Sequence, residues 1–174
     1  MKILSILGTR PEAIKMAPVI KELEKHPQEL KSLICVTGQH RQMLDQVLEL
    51  FGIHPDIDLN LMQPNQGLAV LTARLFETLD SVIEETRPDW ILAQGDTTTV
   101  FVSAVMAYYH DIRFGHVEAG LRTLDKRRPF PEEMNRRLAD AATDAWFAPT
   151  ERARRALLTE GFPEAGIHVT GNTI

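Results

Sequence analysis

The chain has 174 residues, 44% hydrophobic and 25% charged, with a formal net charge of −5 at neutral pH. That length and balance suit one globular domain with its own core and exclude a disordered chain. The acidic balance gives no electrostatic reason to expect nucleic acid, and a single cysteine, Cys35, excludes an internal disulfide or a thiolate-built metal site and fits a reducing cytoplasm.

The chain opens on an apolar strand over 2–7, too short for a signal peptide and ending in a Gly-Thr-Arg-Pro turn. A helix follows over 11–25, then a strand over 32–37, a helix over 41–51 and a weaker strand over 57–61. In the helix expected over 67–86, Leu68, Leu71, Leu75, Leu79, Val82 and Ile83 recur at helical spacing. Next come a strand over 90–94, a helix over 98–109, a strand over 113–118 and a helix over 132–142. A strand over 144–148, a helix over 150–160 and a weak strand over 167–170 complete the pattern. Gly8, Gly52, Pro88, Gly95 and Pro149 mark boundaries. No apolar run approaches the roughly 20 residues needed to span a bilayer, so no membrane role is expected. Alternating elements with strands apolar on both faces imply one α/β domain, a doubly wound parallel sheet covered by helices on each side. In such sheets the ligand lies beyond the carboxyl ends of the strands.

Residues that directly follow a strand are therefore the ones to weigh for chemistry. After the first strand come Gly8, Thr9, Arg10, Pro11, Glu12 and, a turn later, Lys15. Pro11 suits a first helical turn, and free amides at a helix start favour an anion. Arg10 can grip phosphate oxygens in a fork, with Lys15 as a second cation; the plain alternative is a capped helix with two solvated cations. The Gly-x-Gly-x-x-Gly fingerprint is missing, which argues against NAD.

After the strand at 90–94 come Gln94, Gly95, Asp96 and Thr97. Asp96 or Thr97 either caps the next helix, or Asp96 faces a ligand beside Gly95. After the strand at 113–118, alternation expects His116 and Glu118 on one face. A carboxylate there is costly to bury alone; either Arg122 neutralises it or it works in the site. Glu132 and Glu133 suit a first helical turn through the dipole alone. Their interest comes from the total, because three strand-end loops each bring a carboxylate to one edge, where acid and base roles can be divided. Gln39, His40, Arg41 and Gln42 form either a ligand contact or a polar helix start, and Lys126-Arg127-Arg128 reads as a solvated loop. His26, His54, His110 and His168 lack metal-ligand spacing, and no serine-hydrolase or zinc-protease motif occurs.

At these residues the chain resembles the bacterial non-hydrolysing UDP-N-acetylglucosamine 2-epimerases. Collinear blocks carry the likeness: GTRPEAIKMAP from Gly8, TGQHRQMLDQV from Thr37, GDTTT from Gly95, HVEAGLRT from His116, PFPEEMNR from Pro129 and TGNT from Thr170. The resemblance implies the N-terminal, Rossmann-like half of a GT-B-type two-domain fold, with residues 1–174 as the first domain and a UDP-binding C-terminal domain beyond Ile174. It implies reversible inversion at C2, giving UDP-N-acetylmannosamine for cell-envelope polysaccharide by elimination and re-addition of UDP through 2-acetamidoglucal, with no cofactor or metal.

On that resemblance Asp96, Glu118 and Glu132 are expected to move protons, and Arg10, Lys15, His116 and Arg122 to bind substrate. Gln39, Gln42 and Gln66 match a regulatory second UDP-N-acetylglucosamine site, and a homodimer is expected at full length. Two departures stand out: Leu124–Arg128 replaces a segment that usually has Tyr-Ser before Pro, and Asn65 stands where some regulated members carry a cation. The alternatives are another GT-B enzyme, a hydrolysing epimerase or a glycosyltransferase, and a non-enzymatic nucleotide-sugar-binding module. The domain is expected to fold by itself but not to epimerise without a second cleft wall.

Overall fold

The computed structural model describes residues 1–38, 41–61, 63 and 66–174, and for 41–43 the backbone alone. Strands β1 (Lys2–Leu7), β2 (Lys31–Val36), β3 (Ile57–Asp58), β4 (Trp90–Gln94), β5 (Arg113–Val117), β6 (Ala145–Ala148) and β7 (Ile167–Val169) form one sheet. Helices α1 (Arg10–Glu24), α2 (Arg41–Leu50), α3 (Leu68–Thr86), α4 (Thr98–Tyr109), α5 (Glu132–Ala141) and α6 (Glu151–Thr159) connect them. Apart from β3, every boundary lies within one residue of the expectation. β3 is cut to two residues because Asn60 adopts a left-handed φ of 44°. The edge stays tied to β2 regardless, as Leu59 N–H donates to Val36 O at 2.9 Å and Leu61 N–H to Thr37 O at 2.9 Å.

All pairings are parallel and the strand order is β3-β2-β1-β4-β5-β6-β7, a Rossmann-like doubly wound arrangement. Each face has its own core. On one, Ile3, Leu7, Ile34, Val36, Leu92 and Val117 pack under α1 and α2 through Ala13, Met16, Ile20, Leu44 and Leu48. On the other, Leu4, Ile6, Ile91, Ala93 and Phe114 pack under α3, α4 and α5 through Leu75, Leu79, Val102, Met106 and Ala139. Trp146 and Ala148 lie under Ala153 and Leu157 of α6. The winding reverses between β1 and β4, so the turns leaving these strands part to opposite faces and open a crevice at their carboxyl ends. Among the described residues, no helix is long and apolar enough to cross a membrane.

Candidate functional site at the switch point

The turn after β1 leads straight into α1. Thr9 is the N-cap, Arg10 and Pro11 start the helix, and Glu12 closes a capping box onto Thr9. Gly8 is required by crowding, since a Cβ there would lie 2.6 Å from Thr99 Oγ1 and 3.0 Å from Thr37 Oγ1. Arg10 is exposed at the helix start, where amides and dipole favour an anion, and no acidic partner is found for it among the described residues. Lys15, one turn on, reaches across the switch to Glu118, Nζ to Oε1 at 2.5 Å. The second oxygen of Glu118 accepts from Gln94 Nε2.

Glu118 corrects two expectations. It lies just past β5 with φ 69°, a left-handed conformation that costs a non-glycine residue about 1–3 kcal/mol and concentrates at functional sites. That twist breaks the strand alternation. The carboxylate joins Lys15 on the α1 side, while His116 packs beside Phe114 on the other. Its neutralising partner is Lys15, not Arg122.

The turn after β4 settles the capping question. Thr97 caps α4, its Oγ1 accepting from Val100 N–H at 3.4 Å. Asp96 is left free of capping and is paired with Arg136 Nη2, while its carbonyl accepts from Asn135 Nδ2 at 3.0 Å. Arg136 also holds Glu133 at 3.2 Å, and Glu133 accepts from Thr123 N–H at 3.1 Å. Glu133 is fully buried; it braces the loop from Thr123 to α5. Glu132, the first residue of α5, has a buried Oε2 with no hydrogen-bond partner.

The structure gives His116 and Arg122 a different task from the substrate contact expected of them. His116 is fully buried, its Nε2 2.7 Å from the carbonyl of Gly95 and its Nδ1 2.6 Å from Asp140 Oδ1. Two acceptors facing two ring nitrogens call for the doubly protonated imidazolium. Burial pulls its pKa down, but the Asp140 charge, the hydrogen bond to it and the Gly95 carbonyl outweigh burial and raise it. Burial likewise pushes Asp140 up, and His116 and Arg122 overcome it to hold the carboxylate below its usual range. Arg122 pairs with Asp140 at 2.8 Å and grips Glu160 with Nε at 2.8 Å and Nη2 at 2.7 Å. Nε, Nη1 and Nη2 are thus all engaged within the protein. Asp140 and Glu160 escaped notice in the sequence because they lie at the carboxyl ends of helices, in no strand-end loop.

Gln39 and Asn65, and the side chain of Gln42, lie outside the described residues. Gln66 makes a local turn, its Oε1 accepting from Gln63 N–H at 3.1 Å. Lys126, Arg127 and Arg128 are exposed around a turn held by Asp125. A cavity of about 750 Å³ lined by Glu84, Glu85, Arg87 and His110 lies at the amino ends of β4 and β5, far from these carboxylates.

Residues 21–174 match the family model described as UDP-N-acetylglucosamine 2-epimerase. The chain is 53% identical over its full length to the UDP-N-acetylglucosamine 2-epimerase of Salmonella typhimurium and covers 46% of that relative. It superposes with a TM-score of 0.96 on the UDP-GlcNAc 2-epimerase of Neisseria meningitidis bound to UDP-GlcNAc. There the identity is 52%, over 99% of this chain and 46% of the other. A lipopolysaccharide outer core galactosyltransferase, 14% identical with a TM-score of 0.68, shares the fold alone over 99% of this chain and 46% of its own. The chain thus spans about half the length of the curated relatives it matches, and it belongs to the UDP-N-acetylglucosamine 2-epimerase family.

Proposed function

We propose that this domain forms one wall of the active site of a non-hydrolysing UDP-N-acetylglucosamine 2-epimerase, the other wall being a second domain that binds UDP. The observation that carries this reading is the meeting of Lys15 and Glu118 at the switch point, with Asp96 delivered from the adjoining strand. A C2 proton with no neighbouring carbonyl is scarcely acidic, so the route that suits these groups eliminates UDP first and leaves 2-acetamidoglucal. Arg10 and the positive dipole end of α1 stabilise the departing diphosphate, where charge develops. Lys15 exchanges its bond with Glu118 for the diphosphate, which frees the carboxylate beside the sugar. Asp96, Glu118 and Glu132 divide removal of the C2 proton and its return on the opposite face, and the chemistry needs no cofactor. The full-length protein acts as a homodimer in this reading.

Incubation of the two-domain protein with UDP-N-acetylglucosamine should give UDP-N-acetylmannosamine as the nucleotide sugar. Free N-acetylmannosamine with UDP would identify a hydrolysing epimerase instead, and a glycoside a transferase. Arg10→Ala should lower kcat/KM by about 10-fold or more, through both weaker binding and slower loss of UDP. Steady-state kinetics with kcat/KM unchanged would return Arg10 to the role of a solvated helix-start cation.

A further inference from the structure

The proposed chemistry assigns no task to Glu12, yet its carboxyl is almost wholly enclosed at the switch point. Its side chain is 2% exposed. Oε2 accepts from Gly8 N–H and from Thr9 N–H, the latter at 3.0 Å. Gly8, which it holds, is packed against Thr99 in the first turn after Asp96 and Thr97, with Thr99 Oγ1 only 2.6 Å from where a Cβ on Gly8 would lie. Oε1 is buried and makes no hydrogen bond. A capping-box glutamate needs only to reach the N-cap amide and is content at the surface. This one is sunk between two strand-end turns with an oxygen unsatisfied, an arrangement that costs free energy.

We propose that Glu12 is a positioning residue that locks the anion-binding turn after β1 to the carboxylate-bearing turn after β4, so that Arg10 and Asp96 meet one substrate at a fixed spacing. The inference rests on the epimerase reading above. Its basis is contact through Gly8: Glu12 holds the β1 turn at Gly8 and Thr9, and Gly8 is packed against Thr99 at the start of α4 and against Thr37, whose Oγ1 atoms lie 3.2 Å apart and close the space beneath it. A group that ties both turns transmits any change in its own hydrogen bonding to both.

Burial pushes the Glu12 carboxyl up to about 7, against Thr97, Gly8 and Thr9, which favour the charged form. Ionised, it receives hydrogen bonds from Gly8 and Thr9. Protonated, it keeps Oε2 for Gly8 and Thr9 and presents an O–H from Oε1, which needs an acceptor on a side that carries no hydrogen bond in the ionised form. The charged groups of the surrounding turns and helix are Arg10 and Lys15 of α1 and Asp96 across the switch; Thr9, Thr37, Thr97 and Thr99 do not titrate.

The test is epimerisation by the two-domain protein and its Glu12→Ala and Glu12→Gln variants, followed from about pH 5.5 to 8.5, a range that spans titration of the group. Glu12→Ala should lower kcat and raise KM together, with kcat/KM down about 10-fold or more, because both turns lose a common anchor. Glu12→Gln offers an acceptor to Gly8 and Thr9 and an N–H₂ on the unpaired side. It should recover most of that loss near pH 6 and flatten the profile through about pH 7. A merely structural role would reduce the folded fraction, seen by circular dichroism, and leave KM where it was. That result, or a Glu12→Gln profile superimposable on the parent, overturns the proposal. Should Glu12→Ala fail to fold, the Glu12→Gln profile decides alone. A parent protein that converts no substrate would sink the epimerase reading instead, before any variant is compared.

Discussion

Replacing Asp140 with asparagine is expected to destabilise the domain by about 3–5 kcal/mol, the usual consequence of removing one partner from a buried ionic network. Asp140 takes hydrogen bonds from His116, from Arg122 and, at 3.3 Å, from Gly120 N–H. An asparagine offers one acceptor where two are used, and its N–H₂ must face the Arg122 guanidinium or the His116 ring. Either way a buried cation loses its counter-charge. The pH dependence follows in sign. His116 is raised, so its contribution is full below its unfolded value of 6.5 and is lost as pH climbs through the higher folded value. Asp140 is lowered, so its contribution is full above 3.8 and is lost as pH falls through the lower folded value. Parent and variant should therefore differ most between those limits; the gap should close as pH falls through the lower folded value of Asp140, and only narrow as pH climbs through the higher folded value of His116, because Arg122 still pairs with Asp140 there. Urea unfolding of both across that range measures it. A gap below about 1 kcal/mol throughout would mean that the His116–Asp140–Arg122 cluster holds nothing in place.

Glu118→Gln should be the most damaging change to activity in the two-domain protein. The amide preserves volume but cannot take or return a proton, and positioned acid–base groups contribute about 10²- to 10⁴-fold. Inversion at C2 demands deprotonation on one face and reprotonation on the other. At least two of Asp96→Asn, Glu118→Gln and Glu132→Gln should therefore lose about 10²-fold or more in kcat while remaining folded. The loss should be matched by slower uptake of deuterium at C2 in heavy water, which isolates proton transfer from binding. If all three take up deuterium at the parental rate, these carboxylates serve only as caps and ion-pair partners.

The positions of the strand-end turns were legible in the sequence because apolar runs and glycine punctuation locate the ends of a parallel sheet. The roles within the turns were less so. Glu118 sits where period-two reasoning puts it beside His116, and its positive φ sends it the other way. No sequence pattern signals that conformation in a glutamate. His116 reads as a strand-end ligand because its partners, Asp140 and Gly95, are distant in sequence and adjacent only once β4, β5 and α5 have packed. Glu12 was hidden for the opposite reason. Its capping-box spacing explains it locally, while its enclosure arises where Thr37 and Thr99, from other strands' turns, converge with it on Gly8. Glu132 and Glu133 could not be told apart by the helix dipole, and only packing shows which of them braces the loop.

The switch-point geometry also governs when the site comes into being during synthesis. Lys15 and Glu118 are separated by 103 residues, and the β1–β4 pairing that brings their turns together is equally non-local. At ribosomal speeds of about 5–20 residues per second, Glu118 is made roughly 5 to 20 seconds after Lys15. Until β4 is made, β1 has only β2 to pair with, and its other edge stays open. Nascent chains caught before β4 emerges therefore carry an unpaired hydrophobic edge, the form most exposed to misassociation.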